Sequence, residues 1–582
     1  MRKTKIVCTI GPASEQPEVL RELMLAGMNV ARLNFSHGTH EDHAMRIDRI
    51  REVAKELNHN IAIMLDTQGP EIRIGVFEDD QIVLNDGDIF TLTPEKIEGT
   101  QEKVSVSYQN IANDVHVGST VLIDDGHVEL VVEEIKGNDI VCRVVDGGVV
   151  KNRKGVNLPG VKVNLPSITA KDVEDIAFGV SKGVDIIAAS FVQKAADVFE
   201  MRQLLQEHGG NHISIMAKIE NEEGVRNTDE ILAAVDSVMV ARGDLGVEIP
   251  AEDVPLIQKK LIEACNRVGK PVVTATHMLD SMEKNPRPTR AEATDVANAI
   301  FDGTDAIMLS GESAAGKYPV ESVKTMDRIA RSVENSPLYQ ERARDWQGDK
   351  MTITDVMGQA VYSAASSLHA AAILTPTESG YTANTVSRLR PSCPIVAVTP
   401  HKHVVNQLLL NWGVYPILFD SADNTDEMME KAIQAAVGEK IIKHGDLIVI
   451  SAGVPVREPG NTNMLKVHVV GKVVARGRGF GDTSVTGKVV IMGEPGWQDL
   501  VDETTVLVAK STDKGVISFI EKAAALVTEE GGLTSHAAIV GLNLDKPVII
   551  GAESVTTLLK QGDEVTVDPH QGHIYHGFSS VL

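Results

Sequence analysis

Charged side chains alternate with apolar ones at the end of the run SIMAKIEN, residues 214–221. Lys218 and Glu220 are two residues apart, so in an extended strand both side chains lie on the same face. Asp244 follows another apolar run, in the segment ARGDLG. Two carboxylates at equivalent depth on neighbouring strands suit Mg²⁺ or Mn²⁺, with substrate oxygen atoms completing an octahedron.

Positive charge is expected around these two carboxylates. Arg32 and Lys218 lie at the ends of two apolar runs, and Arg73 follows a third. A divalent metal surrounded by several cations indicates an anionic substrate, most simply a phosphorylated one, with negative charge developing on transferred oxygen atoms.

A second group of residues at the ends of apolar runs is rich in oxygen ligands. It consists of Asn34, Ser36, Asp66 and Thr67. Amide, hydroxyl and carboxylate oxygens are hard ligands, so this group predicts a site for a monovalent cation. The remaining polar residues at such ends are Arg242, Thr274, Thr276, Ser310 and Glu312.

Each feature also has an ordinary structural interpretation. A Lys-x-Glu pair at one strand end is commonly a surface ion pair, and Asp244 is compatible with a helix cap. The convergence of several strand ends on compatible chemistry favours one shared site. A barrel by itself, however, specifies no reaction.

Eight apolar runs rich in β-branched residues must position these side chains. They are residues 5–10, 28–36, 60–67, 185–192, 214–221, 237–246, 271–279 and 306–312. Amphipathic helical patterns lie between most of them. Strand–helix alternation predicts a parallel sheet, and eight repeats predict an α/β fold of the (β/α)₈ TIM-barrel type, in which reactive groups collect where the strands end.

The rest of the chain divides into further domains. The predicted barrel comprises residues 1–69 and 169–340, interrupted by strands and turns over 70–168 that predict an inserted β-barrel lid domain. Alternating strands and helices over 341–473 predict an open α/β sheet domain. The last segment, 474–582, begins with a glycine-rich, charged stretch predicted to be a linker and continues as a compact α/β module.

Composition limits the possible partners and the compartment. The chain has 56 basic and 81 acidic residues and a net charge of −25, which argues against nucleic acid and anionic membranes. No apolar run reaches the roughly 18 residues of a membrane span, and the first apolar run is too short for a signal peptide. The four cysteines form no CxxC pair, so we expect a reducing, cytoplasmic location without disulfides or a zinc site.

Six segments together resemble the pyruvate kinase family. They are NVARLNFSHG, LDTQGPEIR, KGVNLPG, IMAKIEN, ARGDLGVE and NPRPTRAEATDVANAIFDGTDAIMLSGE, in order within about residues 1–473. The later segment TEEGGLTSHAAIVG resembles the phosphohistidine swivelling domain of enzymes that use phosphoenolpyruvate. Some bacterial pyruvate kinases carry such a domain, and the absence of the N-terminal helix typical of animal forms also favours a bacterial type.

The resemblance implies a glycolytic enzyme that transfers the phosphoryl group of phosphoenolpyruvate to ADP, giving pyruvate and ATP. It implies Mg²⁺ (or Mn²⁺) and K⁺ as cofactors, a small phosphorylated effector and a homotetramer. The implied catalytic and substrate-binding residues are Arg32, Lys218, Gly243, Asp244 and Thr276. The implied nucleotide-binding residues are Asn34, His37, Arg73 and Lys154. The implied ligands are Glu220 and Asp244 for Mg²⁺, and Asn34, Ser36, Asp66 and Thr67 for K⁺.

Several positions depart from the family pattern. His277 stands where Gln is usual, Gln68 where Lys is frequent, and Ser313 where Thr is usual. His277 either titrates near neutrality beside Thr276 and bends the pH profile, or packs and hydrogen-bonds as Gln would. Glu71, by contrast, matches the K⁺-requiring pattern of the family.

Two further sites are implied beyond the barrel. Thr377, Ser379, Gly380 and Thr382, in TPTESGYT, form the implied effector site, and the alternative is an ordinary capped loop. Glu378 stands where many members that respond to fructose 1,6-bisphosphate have Lys, which favours a monophosphate such as AMP or ribose 5-phosphate. His536 matches the phosphorylated histidine of swivelling domains, and the alternative is a module kept for packing or assembly.

Three other functions are compatible with parts of the pattern. A Mg²⁺-dependent 2-oxo acid lyase explains the carboxylates Glu220 and Asp244 but leaves Lys154, Arg73 and the lid without a role. A dikinase-like transferase would use AMP and pyrophosphate through His536. A non-catalytic effector-binding protein is disfavoured by the complete set of residues at the strand ends.

Overall fold

The structure is a computed structural model of the chain. It describes residues 1–163, 165–340, 352–422, 424–453, 462–471, 473–532 and 534–577. The chain forms two compact units, residues 1–347 with 401–416, and residues 348–400 with 417–582. Within the described ranges, no helix combines the length and apolar character needed to cross a membrane.

Eight parallel strands of the first unit close into a barrel. They are β1 (Lys5–Thr9), β2 (Val30–Asn34), β3 (Ala62–Asp66), β4 (Ile186–Ala189), β5 (Ser214–Ile219), β6 (Ser237–Ala241), β7 (Val272–Ala275) and β8 (Ala306–Leu309). Each pairs with its neighbours in sequence, and β8 pairs with β1. The strands are almost entirely buried, because helices cover the outer face and side chains fill the interior. The predicted TIM barrel is confirmed.

Helices of the first unit connect the barrel strands or come after β8 in the chain. They are Pro17–Ala26, His40–Glu56, Ala170–Ser181, Ala195–Glu207, Glu222–Arg226, Thr228–Ala234, Arg242–Glu248, Val254–Val268, Arg290–Asp302, Gly311–Ala314, Pro319–Glu334, Pro337–Gln340 and Lys402–Leu408. Thr39, Thr169 and Thr289 begin three of them with capping boxes, in which an acid three residues later bonds back to the cap. These caps fix where the loops at the strand ends give way to helix.

The segment between β3 and β4 is an independent β structure with its own core. Its six-stranded sheet runs in the order Val156–Asn157, Thr120–Ile123, Val128–Lys136, Asp139–Asp146, Ile89–Thr93, Lys103–Ser105. A two-stranded sheet joins Gln81–Leu84 with Gly148–Lys151, and one short helix spans Ile111–Asp114. Phe90, Leu92 and Leu130 are fully buried in this core.

The second unit contains two sheets. In the first, strands run in the order Ile395–Thr399, Ala372–Pro376, Leu447–Ala452, Met464–Val469, with helices Ile353–Ser367, Tyr381–Ser387 and Thr425–Gly438. The strand Val414–Leu418 spans the boundary between the units. The eight-stranded sheet runs Val473–Arg476, His573–His576, Glu564–Asp568, Val485–Ile491, Thr505–Ala509, Ala525–Thr528, Val548–Ile550, Arg478–Phe480, with helices Ile517–Lys522, His536–Asn543 and Val555–Leu558.

The linker predicted for the glycine-rich stretch 475–487 is wrong. Most of these residues belong to the strands Val473–Arg476, Arg478–Phe480 and Val485–Ile491 of the eight-stranded sheet. The glycines serve close packing: a Cβ on Gly479 would lie 1.9 Å from the Pro569 carbonyl oxygen, and one on Gly477 would lie 2.4 Å from that of Ile550. Composition therefore suggested flexibility where the fold requires close backbone contact.

Gly479→Ala should destabilise the second unit by about 1–3 kcal/mol, because the added methyl group collides with backbone that cannot move freely. Gly438→Ala is the matched control, because a Cβ there meets nothing within 4 Å at the end of a helix. The control should be neutral or stabilising by up to ~1 kcal/mol. Urea unfolding followed by circular dichroism measures both variants, and equal midpoints would contradict this account of the glycine.

Candidate active site

The carboxyl ends of the barrel strands bring the predicted residues together. Arg32 and Asp66 lie near the ends of β2 and β3, and Lys218 lies near the end of β5. Glu220 follows β5 directly, whereas Asp244 lies in the helix Arg242–Glu248 that follows β6. Parallel strands in a closed barrel all end on the same face, so these side chains share one mouth.

Lys218 contacts three polar side chains at this mouth. Its Nζ atom lies 3.0 Å from Asp66 Oδ1 and 2.9 Å from Glu220 Oε1, and it donates a 2.7 Å hydrogen bond to Ser190 Oγ. The residue is 8% exposed. Burial alone would lower the pKa of Lys218, but the two carboxylates raise it above its ordinary value. The side chain therefore stays a fixed positive charge.

Arg32 and Asp66 form a second buried ion pair beside it. Arg32 Nε donates to Asp66 Oδ2 at 2.6 Å, and its Nη1 donates to Thr9 Oγ1 at 2.9 Å. Burial would raise the pKa of Asp66, but Arg32 and Lys218 hold it below its ordinary value. Asp66 thus stays ionised and holds both cations at the mouth.

Glu220 is a buried carboxyl group that lacks full charge compensation. It accepts a 2.6 Å hydrogen bond from the Phe191 N–H, and it is 1% exposed. Burial, reinforced by the nearby Asp244 and opposed by Lys218, raises the pKa of Glu220 to about 7. A second cation would stabilise the ionised form, so Glu220 and Asp244 fit a divalent metal.

These two carboxylates would be an incomplete ligand set. Within the described residues, no group of three or more His, Cys, Asp or Glu side chains is arranged to hold a metal ion. A hard divalent ion held by two carboxylates takes its other ligands from water and substrate oxygens. The site therefore fits a metal that is shared with an anionic substrate.

Thr276 occupies strained backbone at the end of β7. Its φ is +64°, which is unfavourable for a β-branched residue, and the neighbouring His277 has a φ of +54°. Thr276 Oγ1 accepts a 2.8 Å hydrogen bond from the Gly243 N–H, and Arg242 Nη2 donates to the Thr276 carbonyl oxygen at 2.6 Å. The N–H of Gly243, one of the implied substrate-binding residues, is thus hydrogen-bonded to Thr276 in this structure.

A cleft of 940 Å³ adjoins these residues, between the barrel and the inserted β structure. His37, Arg73, Lys154 and Asp244 all line it. Arg73 Nε donates to Glu71 Oε2 at 2.6 Å, and Lys154 Nζ lies 2.8 Å from Asp124 Oδ1. Both cations therefore face the cleft already paired with a carboxylate, which an anionic ligand would have to replace.

The four predicted K⁺ ligands lie on β2 and β3 or just beyond their ends. Asn34 is in register with Asp66 across the two strands. Asn34 Oδ1 accepts a 3.1 Å hydrogen bond from the Ser36 N–H, and Thr67 Oγ1 donates to the Ala188 carbonyl oxygen at 3.3 Å. Oxygen atoms of Asn34 and Thr67 are thus already hydrogen-bonded.

Other polar residues at the strand ends serve the scaffold. Glu312 accepts hydrogen bonds from the Leu279 N–H at 3.0 Å and the Ser310 N–H at 2.7 Å, and Thr274 Oγ1 donates to Thr304 Oγ1 at 3.0 Å. Ser313 Oγ donates to the Thr9 carbonyl oxygen at 2.8 Å. Ser313 thus supports the end of β1, a role that the hydroxyl of the usual Thr would also fill.

Three further residues, which the sequence patterns did not single out, contact this constellation. Thr9 accepts from Arg32, Ser190 accepts from Lys218, and the Phe191 amide donates to Glu220. Thr9 ends β1 and Ser190 directly follows β4, the two runs whose ends were not considered. The rule applied to the other six strands would have found both residues.

Several residues predicted to form sites in the second unit already have hydrogen-bond partners. Thr377 Oγ1 accepts from the Gly380 N–H at 3.0 Å, and Thr382 Oγ1 lies 2.8 Å from Thr462 Oγ1. Gly380, with φ +82°, precedes the short helix Tyr381–Ser387. In the last module, His536 begins the helix His536–Asn543, and its Nδ1 lies 3.0 Å from Thr512 Oγ1.

Stability should fall as the pH falls from 7 to 5, in part because of His43. His43 is 1% exposed, its Nε2 lies 2.9 Å from the His37 carbonyl oxygen, and burial lowers its pKa to about 4. The unfolded chain binds this proton near pH 6.5, so below that pH the unfolded state takes up more protons and stability is lost. We expect roughly 1 to 2 kcal/mol from this group.

The contribution of His43 to the pH dependence of stability is tested by urea unfolding of the wild type and of His43→Phe at pH 7 and pH 5. Phe preserves the stacking on Phe35, whose ring centroid lies 3.9 Å from that of His43. The variant should show the smaller loss of stability between the two pH values. An unchanged pH dependence would contradict the assignment.

Comparisons with known proteins point in one direction. The family "Pyruvate kinase, barrel domain" matches residues 1–323, "Pyruvate kinase, alpha/beta domain" matches 355–468, and "PEP-utilising enzyme, mobile domain" matches 501–572. Proteins named pyruvate kinase from Geobacillus stearothermophilus and Bacillus licheniformis are each 56% identical to the chain. One from Sporosarcina psychrophila is 51% identical. All three alignments cover 100% of both chains.

Proposed function

Because the chain belongs to the pyruvate kinase family and transfers a phosphoryl group from phosphoenolpyruvate to ADP, we propose how its residues divide that reaction. The barrel mouth binds phosphoenolpyruvate, and the adjoining cleft binds the nucleotide. Phosphoryl transfer depends on positioning and on neutralising charge, and the cations and carboxylates described above supply both.

Arg32 and Lys218 act on the transferred group. Both are held by Asp66, and both are nearly buried, so their charges act in a medium of low polarity. Arg32 binds the phosphoryl group, and Lys218 neutralises the negative charge that develops on it during transfer. Lys218 must exchange one of its present partners for a phosphoryl oxygen.

Glu220 and Asp244 hold the divalent cation, Mg²⁺ or Mn²⁺. The buried, incompletely compensated Glu220 carboxyl supports this assignment. When bound, the cation supplies positive charge to substrate oxygen atoms and helps to align the phosphoryl group. The Phe191 N–H fixes the orientation of the Glu220 side chain through its 2.6 Å hydrogen bond.

The three-carbon part of the substrate contacts Gly243, Asp244 and Thr276. The amides of Gly243 and Asp244 receive its carboxylate once Thr276 releases the Gly243 N–H. The enolate left after transfer must gain a proton on carbon, and the Thr276 hydroxyl, with water, delivers it. The strained backbone of Thr276 supports a functional role.

The nucleotide lies in the 940 Å³ cleft. Arg73 and Lys154 bind its phosphates, displacing Glu71 and Asp124, and His37 and Asn34 lie beside it. The inserted segment 70–168, which contains Arg73 and Lys154, acts as a lid over the barrel mouth. Asn34, Ser36, Asp66 and Thr67 hold K⁺, the monovalent cation that the family uses.

The observation that best supports this proposal is the pair of ion contacts that Lys218 makes with Asp66 and Glu220 at the barrel mouth. ³¹P NMR of the purified protein with phosphoenolpyruvate, Mg²⁺ and K⁺ tests the function. ATP should appear when ADP is added. It should not appear with AMP plus pyrophosphate, and ATP in that second tube would revive the dikinase-like alternative and make His536 a carrier. The comparisons favour neither that alternative nor the lyase.

Regulation is proposed to reside in residues 341–473. A monophosphate effector binds to four residues there, namely Thr377, Ser379, Gly380 and Thr382. The protein is proposed to be a cytoplasmic homotetramer. Activation assays with AMP, ribose 5-phosphate and fructose 1,6-bisphosphate test the effector class. A response to the bisphosphate alone would refute the monophosphate assignment.

Incubation with labelled phosphoenolpyruvate, followed by an acid-lability test, reports whether His536 is phosphorylated.

A further inference from the structure

One serine connects three strand ends at the barrel mouth. Ser190 follows β4 directly and is 5% exposed. Its N–H donates to Thr67 Oγ1 at 3.1 Å, and its hydroxyl donates to the Thr67 carbonyl oxygen at 2.7 Å. The same oxygen accepts the 2.7 Å hydrogen bond from Lys218 Nζ. A single hydroxyl group therefore ties the end of β3 to the ammonium group on β5.

The next residue fixes the proposed metal ligand. The Phe191 N–H donates to Glu220 Oε2 at 2.6 Å, and Phe191 has a φ of +56°. A bulky side chain rarely adopts this backbone region, and such strain persists only where surrounding contacts impose it. The backbone of Gly69 lies close against this turn, because a Cβ added there would lie 2.8 Å from Ser190 Cβ and 2.9 Å from Phe191 Cδ2.

We propose that Ser190 is a positioning residue for Lys218 in phosphoryl transfer, an inference that rests on the proposed function. Of the three polar partners of Lys218 Nζ, Ser190 Oγ accepts a hydrogen bond, whereas Asp66 and Glu220 contact it as ion pairs. Ser190 is the neutral partner, so it fixes the direction of Nζ without reducing its charge.

The test compares Ser190→Ala with two other variants. Ser190→Thr keeps the hydroxyl group. Ser237→Ala is the matched control, because Ser237 is also a buried barrel serine, at the start of β6, but its Oγ makes no hydrogen bond. Steady-state kinetics give kcat and KM for phosphoenolpyruvate. Calorimetric titration with phosphoenolpyruvate and Mg²⁺ gives affinity without turnover, and thermal unfolding checks the fold.

Ser190→Ala should lower kcat by roughly 10- to 100-fold, because a misplacement of about 1 Å is enough for such a loss. The affinity for phosphoenolpyruvate should change by less than about threefold, since Arg32 and the metal site are untouched. Ser190→Thr should recover most of kcat, and Ser237→Ala should match the wild type.

Two results would overturn the proposal. One is an unchanged kcat in Ser190→Ala. The other is a loss of kcat that is matched by an equal loss of affinity and of thermal stability, because that pattern indicates a general structural role. Absence of turnover in both the wild type and Ser237→Ala would instead overturn the proposed function itself.

Discussion

Lys218→Met should lower kcat by roughly 10³- to 10⁵-fold, the range associated with removing a cation that stabilises phosphoryl transfer. Lys218 is buried, positively charged and within 3.0 Å of both Asp66 and Glu220. The methionine preserves most of the side-chain volume but removes the charge. Pyruvate formation followed by ¹H NMR measures the loss over this range.

Lys259→Met is the control for this substitution. Lys259 is an exposed lysine in the helix Val254–Val268, paired with Asp302 on the outside of the barrel. It should leave kcat unchanged, because its exposed ammonium group pairs with Asp302 and with no residue proposed to bind substrate or metal. If Lys218→Met turned over within tenfold of the wild type, the role proposed for Lys218 would be wrong.

Glu220→Gln should abolish tight binding of the divalent cation and lower kcat/KM by roughly 10²- to 10³-fold. The amide keeps the size of the carboxyl group but carries no negative charge to hold a metal. Mn²⁺ is the probe, because its binding is measured directly by electron paramagnetic resonance without any turnover. The dissociation constant for Mn²⁺ should rise at least about tenfold.

Glu248→Gln provides the comparison for the metal measurement. Glu248 is another acid of the same mouth, but its Oε1 accepts a 2.9 Å hydrogen bond from Asn157 of the inserted segment. Its substitution should leave the Mn²⁺ dissociation constant within about twofold of the wild type. Equal Mn²⁺ affinity in Glu220→Gln and the wild type would remove Glu220 from the ligand set.

Much of the site follows from local sequence rules. The spacing of Lys218 and Glu220 predicts that both side chains point the same way at the end of β5, and the apolar runs specify eight buried strands. Because parallel strands of a barrel end on one face, their terminal polar residues must meet. The same rule also predicted that Thr274 and Glu312 belong to the site. In the structure their side chains instead make hydrogen bonds within the scaffold.

The sequence by itself thus determined the barrel, the inserted β structure and the types of residue at the mouth, because periodicity and strand propensity are local properties. Only the tertiary structure decided which partner each side chain has. Ser190 meets Lys218 across 28 residues of sequence, and burial beside Asp244 raises the pKa of Glu220. The glycines at 477 and 479 permit close strand contacts rather than a linker. Hydrogen bonds, burial and electrostatic environment depend on residues distant in the chain, and no local pattern contains them.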